Sequence, residues 1–262
     1  MKPIWLGSSW KMNKTRQEVV EFCQEFERGV ARFPDGIQGF LIPPFPYVET
    51  VTQALSRLNI VTGVQNMCWE SQGAYTGEIS PLMVRDLGAH LVEIGHSERR
   101  EMFNETDETV NKKARSALEH GLTPLICVGD TLAEKNWGVS KESIVRQVKI
   151  ALSGVSLEQM SSVLIAYEPV WAIGENGTPA SADEAEIGLG VIRVALLELY
   201  GAEIAKATIL LYGGSVNPDN AFELVSQPNI DGLFVGRAAW DAAGYLSLLS
   251  IVEKYESTRS LK

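Results

Sequence analysis

The chain has 262 residues, 45% hydrophobic and 21% charged, and a formal net charge of −10 from 23 basic and 33 acidic side chains. That length and apolar fraction suit a globular protein with a large core, built as two small domains or as one α/β barrel. The acidic balance works against nucleic acid or an anionic membrane as a bulk partner, although a locally positive site can still take a small anion.

At the N-terminus, MKPIWLGSSW holds an apolar run too short for a signal-peptide core, and no later run has bilayer length. Cys23, Cys68 and Cys127 are odd in number and irregular in spacing, which argues for a reducing compartment rather than a disulfide framework. A cytoplasmic location is therefore expected. His90, His96 and His120 make no zinc-ligand pattern with these cysteines or with each other, so no metal is expected.

The first β-rich run, Ile4–Ser9, leads into Trp10-Lys11, and Thr15–Arg32 follows with helical periodicity. Gly39–Pro43 and Ile60–Gln65 are the next two runs. Leu91–Gly95 ends at His96 and a charged helical turn, before a helix over Thr106–Glu119. Thr123–Gly129 ends near Cys127 and Asp130, and Ser140 is the expected N-cap of a helix over Lys141–Leu152. Val163–Tyr167 ends in Glu168 and a loop, Pro169–Pro179, before a helix over Ala182–Tyr200 that Gly201 should stop. Ala207–Tyr212 ends in Gly213-Gly214-Ser215, with Asn217-Pro218 as cap and first position of a helix to Val225. Gly232–Gly236 ends at Arg237, and Gly244–Tyr255 precedes a polar tail, Glu256–Lys262, expected to fray. Uniformly apolar runs alternating with helical stretches predict a parallel (β/α)₈ TIM barrel, one domain over residues 1–262. The alternative is a doubly wound open sheet, which usually carries a glycine fingerprint after its first strand; GSSWKMN is not one.

In such a barrel the site lies at the C-terminal ends of the strands. Glu168 stands there on an apolar strand with a closable loop behind it, the layout of a general base under a lid. His96 ends another strand. Taken singly, the glutamate reads equally as a helix N-terminal charge and the histidine as a structural group. The glycine-containing turns at Gly213–Ser215 and Gly236-Arg237 occupy the places where barrels bind phosphate through backbone N–H groups. Lys11 offers a point charge to an anion or a developing enolate, and otherwise reads as a surface lysine. Base, imidazole, ammonium and phosphate turns together suit an enediolate isomerisation of a phosphorylated short-chain sugar.

The strings SWKMN (9–13), TGEIS (76–80), GHSERR (95–100), AYEPVWAIG (166–174), YGGSV (212–216) and DGLFVG (231–236) resemble triosephosphate isomerase in order and spacing over nearly the whole chain. The resemblance implies a cofactor-free isomerase with Glu168 as base, His96 as electrophile, Lys11 as electrostatic anchor and Glu98 as its supporting carboxylate. It implies phosphate binding by Gly174, Ser215, Gly236 and the backbone of Arg237. It also implies a C2 homodimer through the Gln65–Glu78 loop, whose Met67, Cys68, Trp69 and Tyr75 read as an apolar cluster, one that can also fold back on its own barrel.

Three departures cluster at the substrate end and the lid. Ser9 stands where that family has Asn, the lid reads Gly174-Glu175-Asn176-Gly177, and Gly236-Arg237-Ala-Ala-Trp240 replaces a Gly-Gly turn. They resemble the branch of the family that isomerises tetrulose phosphates, the L-erythrulose-1-phosphate isomerases. Replacing Asn by Ser removes bulk and keeps a hydroxyl, which suits a substrate larger by one hydroxymethyl. The Arg237 guanidinium is expected to reach an anion or Glu175, or solvent. The rivals are ordinary triosephosphate isomerisation and a catalytically dead barrel that binds phosphosugars. The second has no need of a base.

Overall fold

Apolar runs with no alternation bury both faces of a strand, and here each of them pairs with parallel neighbours on both sides. In the computed structural model, which describes residues 2–30, 32–174 and 177–259, β1 is Ile4–Ser9, β2 Ile37–Ile42, β3 Ile60–Val64 and β4 Leu91–Ile94. β5 is Thr123–Val128, β6 Leu164–Tyr167, β7 Ile209–Tyr212 and β8 Gly232–Val235. They follow one another around a closed barrel, and β8 pairs back onto β1 with Trp5 opposite Gly232 and Ser8 opposite Val235. The (β/α)₈ barrel read from the sequence is the fold.

The helices are α1 (Arg16–Gly29), α2 (Val48–Ala54), α3 (Pro81–Asp86), α4 (Ser97–Met102) and α5 (Asp107–Glu119). After β5 come α6 (Leu132–Trp137) and α7 (Ser140–Ala151), then α8 (Ala182–Ala207), α9 (Ala221–Val225) and α10 (Ala242–Arg259). α1 shows why such stretches coil. Thr15 and Glu18 cap its first turn reciprocally, and Val19, Phe22, Cys23 and Phe26 form one buried stripe. The strands' outer faces and these helix stripes make one core, including Leu6, Leu41, Val92 and Ile126. The inner faces make a second, with Phe40, Ile42, Leu91, Leu125 and Phe234 filling the barrel.

Several boundaries differ from the sequence expectation. Val139 takes the N-cap position of α7, because Ser140 turns its hydroxyl to the buried Asp130 carboxylate at 2.7 Å. Asn217 caps a single turn, accepting from the N–H groups of Asp219 (2.9 Å) and Asn220 (3.3 Å), and α9 begins only at Ala221. Gly201 breaks α8 with φ +81°, yet the helix resumes to Ala207, so β7 starts two residues later than Ala207. The C-terminal segment does not fray at Glu256: α10 runs to Arg259, which pairs with Glu256 at 2.6 Å and donates to the Lys2 carbonyl at 2.9 Å. Among the described residues, no helix is long and apolar enough to cross a membrane.

Candidate active site

Ser9, Lys11, His96, Glu168, Gly174, Ser215, Gly236 and Arg237 all line one cavity of about 380 Å³ at the C-terminal end of the barrel. Residues spread from position 9 to position 237 meet there because parallel strands of one barrel all end on the same face.

Glu168 follows β6 and is 2% exposed. Its Oε2 accepts the Ser97 N–H at 3.2 Å, and its Oε1 lies 3.4 Å from His96 Nε2. A Cβ at residue 213 would sit 3.0 Å from Glu168 Cγ, so glycine there leaves the carboxylate room. His96 caps α4. The Glu98 N–H points at His96 Nδ1 at 3.1 Å and makes that nitrogen an acceptor, so the ring's proton is on Nε2, the nitrogen turned to Glu168. A neutral imidazole with Nε2–H in the cavity can donate to a substrate oxygen.

Lys11 leaves β1 in the left-handed region, φ +52°, an uncommon conformation for a residue with a side chain. Gln65 Nε2 holds the Lys11 carbonyl at 2.8 Å, and Lys11 Nζ meets Glu98 Oε1 at 2.6 Å. Glu98 does not line the cavity; it reaches the site through this ion pair. On the opposite wall, Ser215 Oγ donates to the Ala172 carbonyl at 2.5 Å, joining the glycine turn after β7 to the loop after β6. Gly174 has φ +89°, where a side chain would be strained.

The root of that loop is fixed by Asp130. This carboxylate is buried and accepts from Tyr167 Oη (2.8 Å), Ser140 Oγ (2.7 Å) and Trp171 Nε1 (3.1 Å). Lys135 Nζ sits 3.2 Å from the centre of the Trp171 ring, and the Thr178 N–H returns to the Trp171 carbonyl at 3.2 Å. Glu175, expected as a partner of Arg237, lies outside the described residues. Arg237 itself is exposed at the cavity rim.

The contacts around Ser9 and Glu93 were not read from the sequence. Ser9 Oγ donates to Glu93 Oε2 at 2.8 Å, and Trp240 Nε1 donates to the Ser9 carbonyl at 3.0 Å, so two of the departures from the family pattern touch each other. Cys127, beside Glu168 and Glu93, is fully buried, and burial pushes its thiol well up, as do both carboxylates. Burial also pushes the Glu93 carboxyl up to about 7, with Glu168 adding to the rise and His96, Ser9 and Lys11 opposing it. Glu93, His96 and Glu168 bring donor atoms within 4.8 Å of one another. In this arrangement His96 turns an N–H, not a lone pair, toward the two carboxylates, which does not suit a metal ion.

The apolar cluster of the Gln65–Glu78 loop divides between the two expectations. Met67 and Cys68 are buried against their own barrel, and the Cys68 N–H closes the loop's neck on the Ile79 carbonyl at 2.7 Å. Trp69 is half-buried, and Tyr75 remains exposed near the tip.

A closed (β/α)₈ barrel with a carboxylate, an imidazole and an ammonium around one cavity at its C-terminal end has the build of a barrel enzyme. The family model described as triosephosphate isomerase matches residues 4–253. The chain is 52% identical over 246 residues to a Mesorhizobium japonicum protein named L-erythrulose-1-phosphate isomerase, covering 94% of this chain and 95% of that one. It is 50% identical to a protein of the same name from Rhizobium etli (95% and 92% covered) and 48% identical to one from Brucella abortus (95% and 96% covered). The chain belongs to the triosephosphate isomerase family, and it is an isomerase.

Proposed function

We propose that this protein converts L-erythrulose 1-phosphate to D-erythrulose 4-phosphate through an enediolate, without a cofactor. Glu168 takes the proton from C3, next to the C2 carbonyl, and the electron pair forms the C2=C3 bond. His96 Nε2–H donates toward O2 and the ring recovers the proton of the O3 hydroxyl. Glu168 then returns its proton to C2, leaving the carbonyl at C3. Lys11 balances the negative charge of phosphate and enediolate. Backbone N–H groups at Gly174, Ser215, Gly236 and Arg237 take the phosphate. Triosephosphate isomerisation uses the same groups and is the second reading.

The observation that carries the tetrulose reading is the short side chain of Ser9 in the cavity wall, held by Trp240 and Glu93. The names of the relatives from M. japonicum and R. etli agree with it. If the additional hydroxymethyl lies against Ser9, Ser9→Asn fills its space. Overpacking of about 1–3 kcal/mol then falls on the larger substrate and lowers its kcat/KM by about tenfold or more. Dihydroxyacetone phosphate should lose little or gain, because an amide donor returns near its oxygens. Both substrates are measured on the same Ser9→Asn protein, so general damage cancels. Equal losses on both would mean that Ser9 does not select the substrate.

We also infer a homodimer formed through the Gln65–Glu78 loop, and a cytoplasmic setting. Large apolar side chains left exposed on the loops after β1, β3 and β4 support the dimer: Met12 at 95%, Tyr75 at 44% and Phe103 at 63%. Three buried free cysteines suit a reducing compartment. Sedimentation equilibrium at micromolar concentration should give twice the 28.7 kDa chain mass. A fully active monomer would exclude this assembly as a requirement for function.

A further inference from the structure

Glu93 is a charged side chain in a place built for apolar ones. β4 turns Leu91 and Glu93 to the same inner face, and the inner core around them consists of Phe40, Ile42, Leu125, Cys127 and Ala166. At 3% exposure a carboxylate there is costly unless polar partners use it. Its hydrogen-bonding partner in the protein is the Ser9 hydroxyl at 2.8 Å, and its other oxygen faces His96 Nε2 at 3.9 Å. Glu93 is not in the cavity wall; Ser9 and His96 are.

A hydroxyl has one proton and two lone pairs. When Glu93 is ionised, the Ser9 proton is committed to it, and Ser9 Oγ shows only lone pairs to the cavity. An asparagine in that place would show an N–H₂ as well. The Trp240 bond to the Ser9 carbonyl fixes where Oγ sits. The cavity wall at Ser9 is then an oriented acceptor. The fitting ligand group is a hydroxyl that donates, such as that of the additional hydroxymethyl which a tetrulose phosphate carries on its reacting carbon, where dihydroxyacetone phosphate has a hydrogen.

We propose that Glu93 is a positioning residue that fixes Ser9 as a hydrogen-bond acceptor and thereby selects substrates with an additional hydroxymethyl group on the reacting carbon. This rests on the tetrulose reading above. The groups facing Glu93 are Ser9 from β1, Lys11 after it, Cys127 from β5, His96 after β4 and Glu168 after β6.

The test is the ratio of kcat/KM for L-erythrulose 1-phosphate to that for dihydroxyacetone phosphate, in wild type, Glu93→Leu, Glu93→Gln, Ser9→Ala and the Ser9→Ala/Glu93→Leu double variant. Glu93→Leu and Ser9→Ala should each lower the ratio by about tenfold, the scale of one lost hydrogen bond, and the double variant should lower it no further. Glu93→Gln keeps the shape of the side chain and guards against misfolding; its amide can donate to Ser9 and reverse the bond, so the ratio should fall there too. The wild-type ratio should also rise with pH through about 7, as Glu93 ionises, and be flat in Glu93→Leu. A purely structural role would lower both substrates alike and leave the ratio and its pH profile in place. That result, with wild type preferring the tetrulose, overturns the role of Glu93 alone. A wild-type preference for the triose overturns the tetrulose reading and this inference with it.

Discussion

Replacing Glu168 with glutamine should lower kcat by about a thousandfold and leave KM within a few-fold, the scale of a lost general base. Glutamine has nearly the same shape and can still accept the Ser97 N–H that holds Glu168 at 3.2 Å. The fold therefore stays intact, and the loss reads as chemistry: an amide cannot take a carbon-bound proton. Glu168→Asp keeps the base but withdraws it by one methylene. A displacement of about 1 Å from a reacting atom costs on the order of a hundredfold. The two variants should therefore both fail in kcat, with aspartate the milder. Near-normal turnover of Glu168→Gln would remove Glu168 from the mechanism.

Replacing Lys11 with methionine should lower kcat/KM by about a hundred- to a thousandfold, or about 3–4 kcal/mol of transition-state stabilisation. Unlike the Glu168 variants, it should raise KM and lower kcat together. In the proposed mechanism the ammonium meets the substrate's phosphate charge before reaction and the enediolate charge during it. Methionine keeps most of the stem volume. Glu98, which loses its 2.6 Å partner, is 39% exposed and can be solvated, so stability should change little. Lys11→Arg should restore part of the binding but less of kcat, because a planar guanidinium does not reproduce a point charge. A kcat/KM within tenfold of wild type for Lys11→Met would mean that the charge is not used.

Much of this site could be read from the chain because a parallel barrel maps strand ends onto one face. A polar residue directly after an apolar run, such as His96 or Glu168, is then a site residue by topology. The short helices were harder. α2, α3 and α6 span six or seven residues, too few for a periodic stripe; the unused signal for α6 was the capping-box pair Thr131 and Glu134. Glu93 was masked by its neighbours: Leu-Val-Glu-Ile reads as a buried strand with one tolerated charge. The available signal was alternation, which puts Glu93 on the inner face with Leu91. The bond from Trp240 to Ser9 joins residues 231 apart, and no local pattern carries it. Ser before a helical stretch usually caps it, but at Ser140 the demand of buried Asp130 for donors wins. For the apolar cluster of the loop after β3 the sequence left two outcomes open, an interface or a fold back on its own barrel, and Met67 and Cys68 take the second.

The most direct measurement is kcat/KM of the unmodified protein for L-erythrulose 1-phosphate beside that for dihydroxyacetone phosphate, in one buffer and from one preparation. The expected result is conversion of both, with the tetrulose phosphate preferred by about tenfold or more, the scale of one well-placed hydrogen bond and a fitted methylene. A preference for dihydroxyacetone phosphate, or no conversion of the tetrulose phosphate, would contradict it.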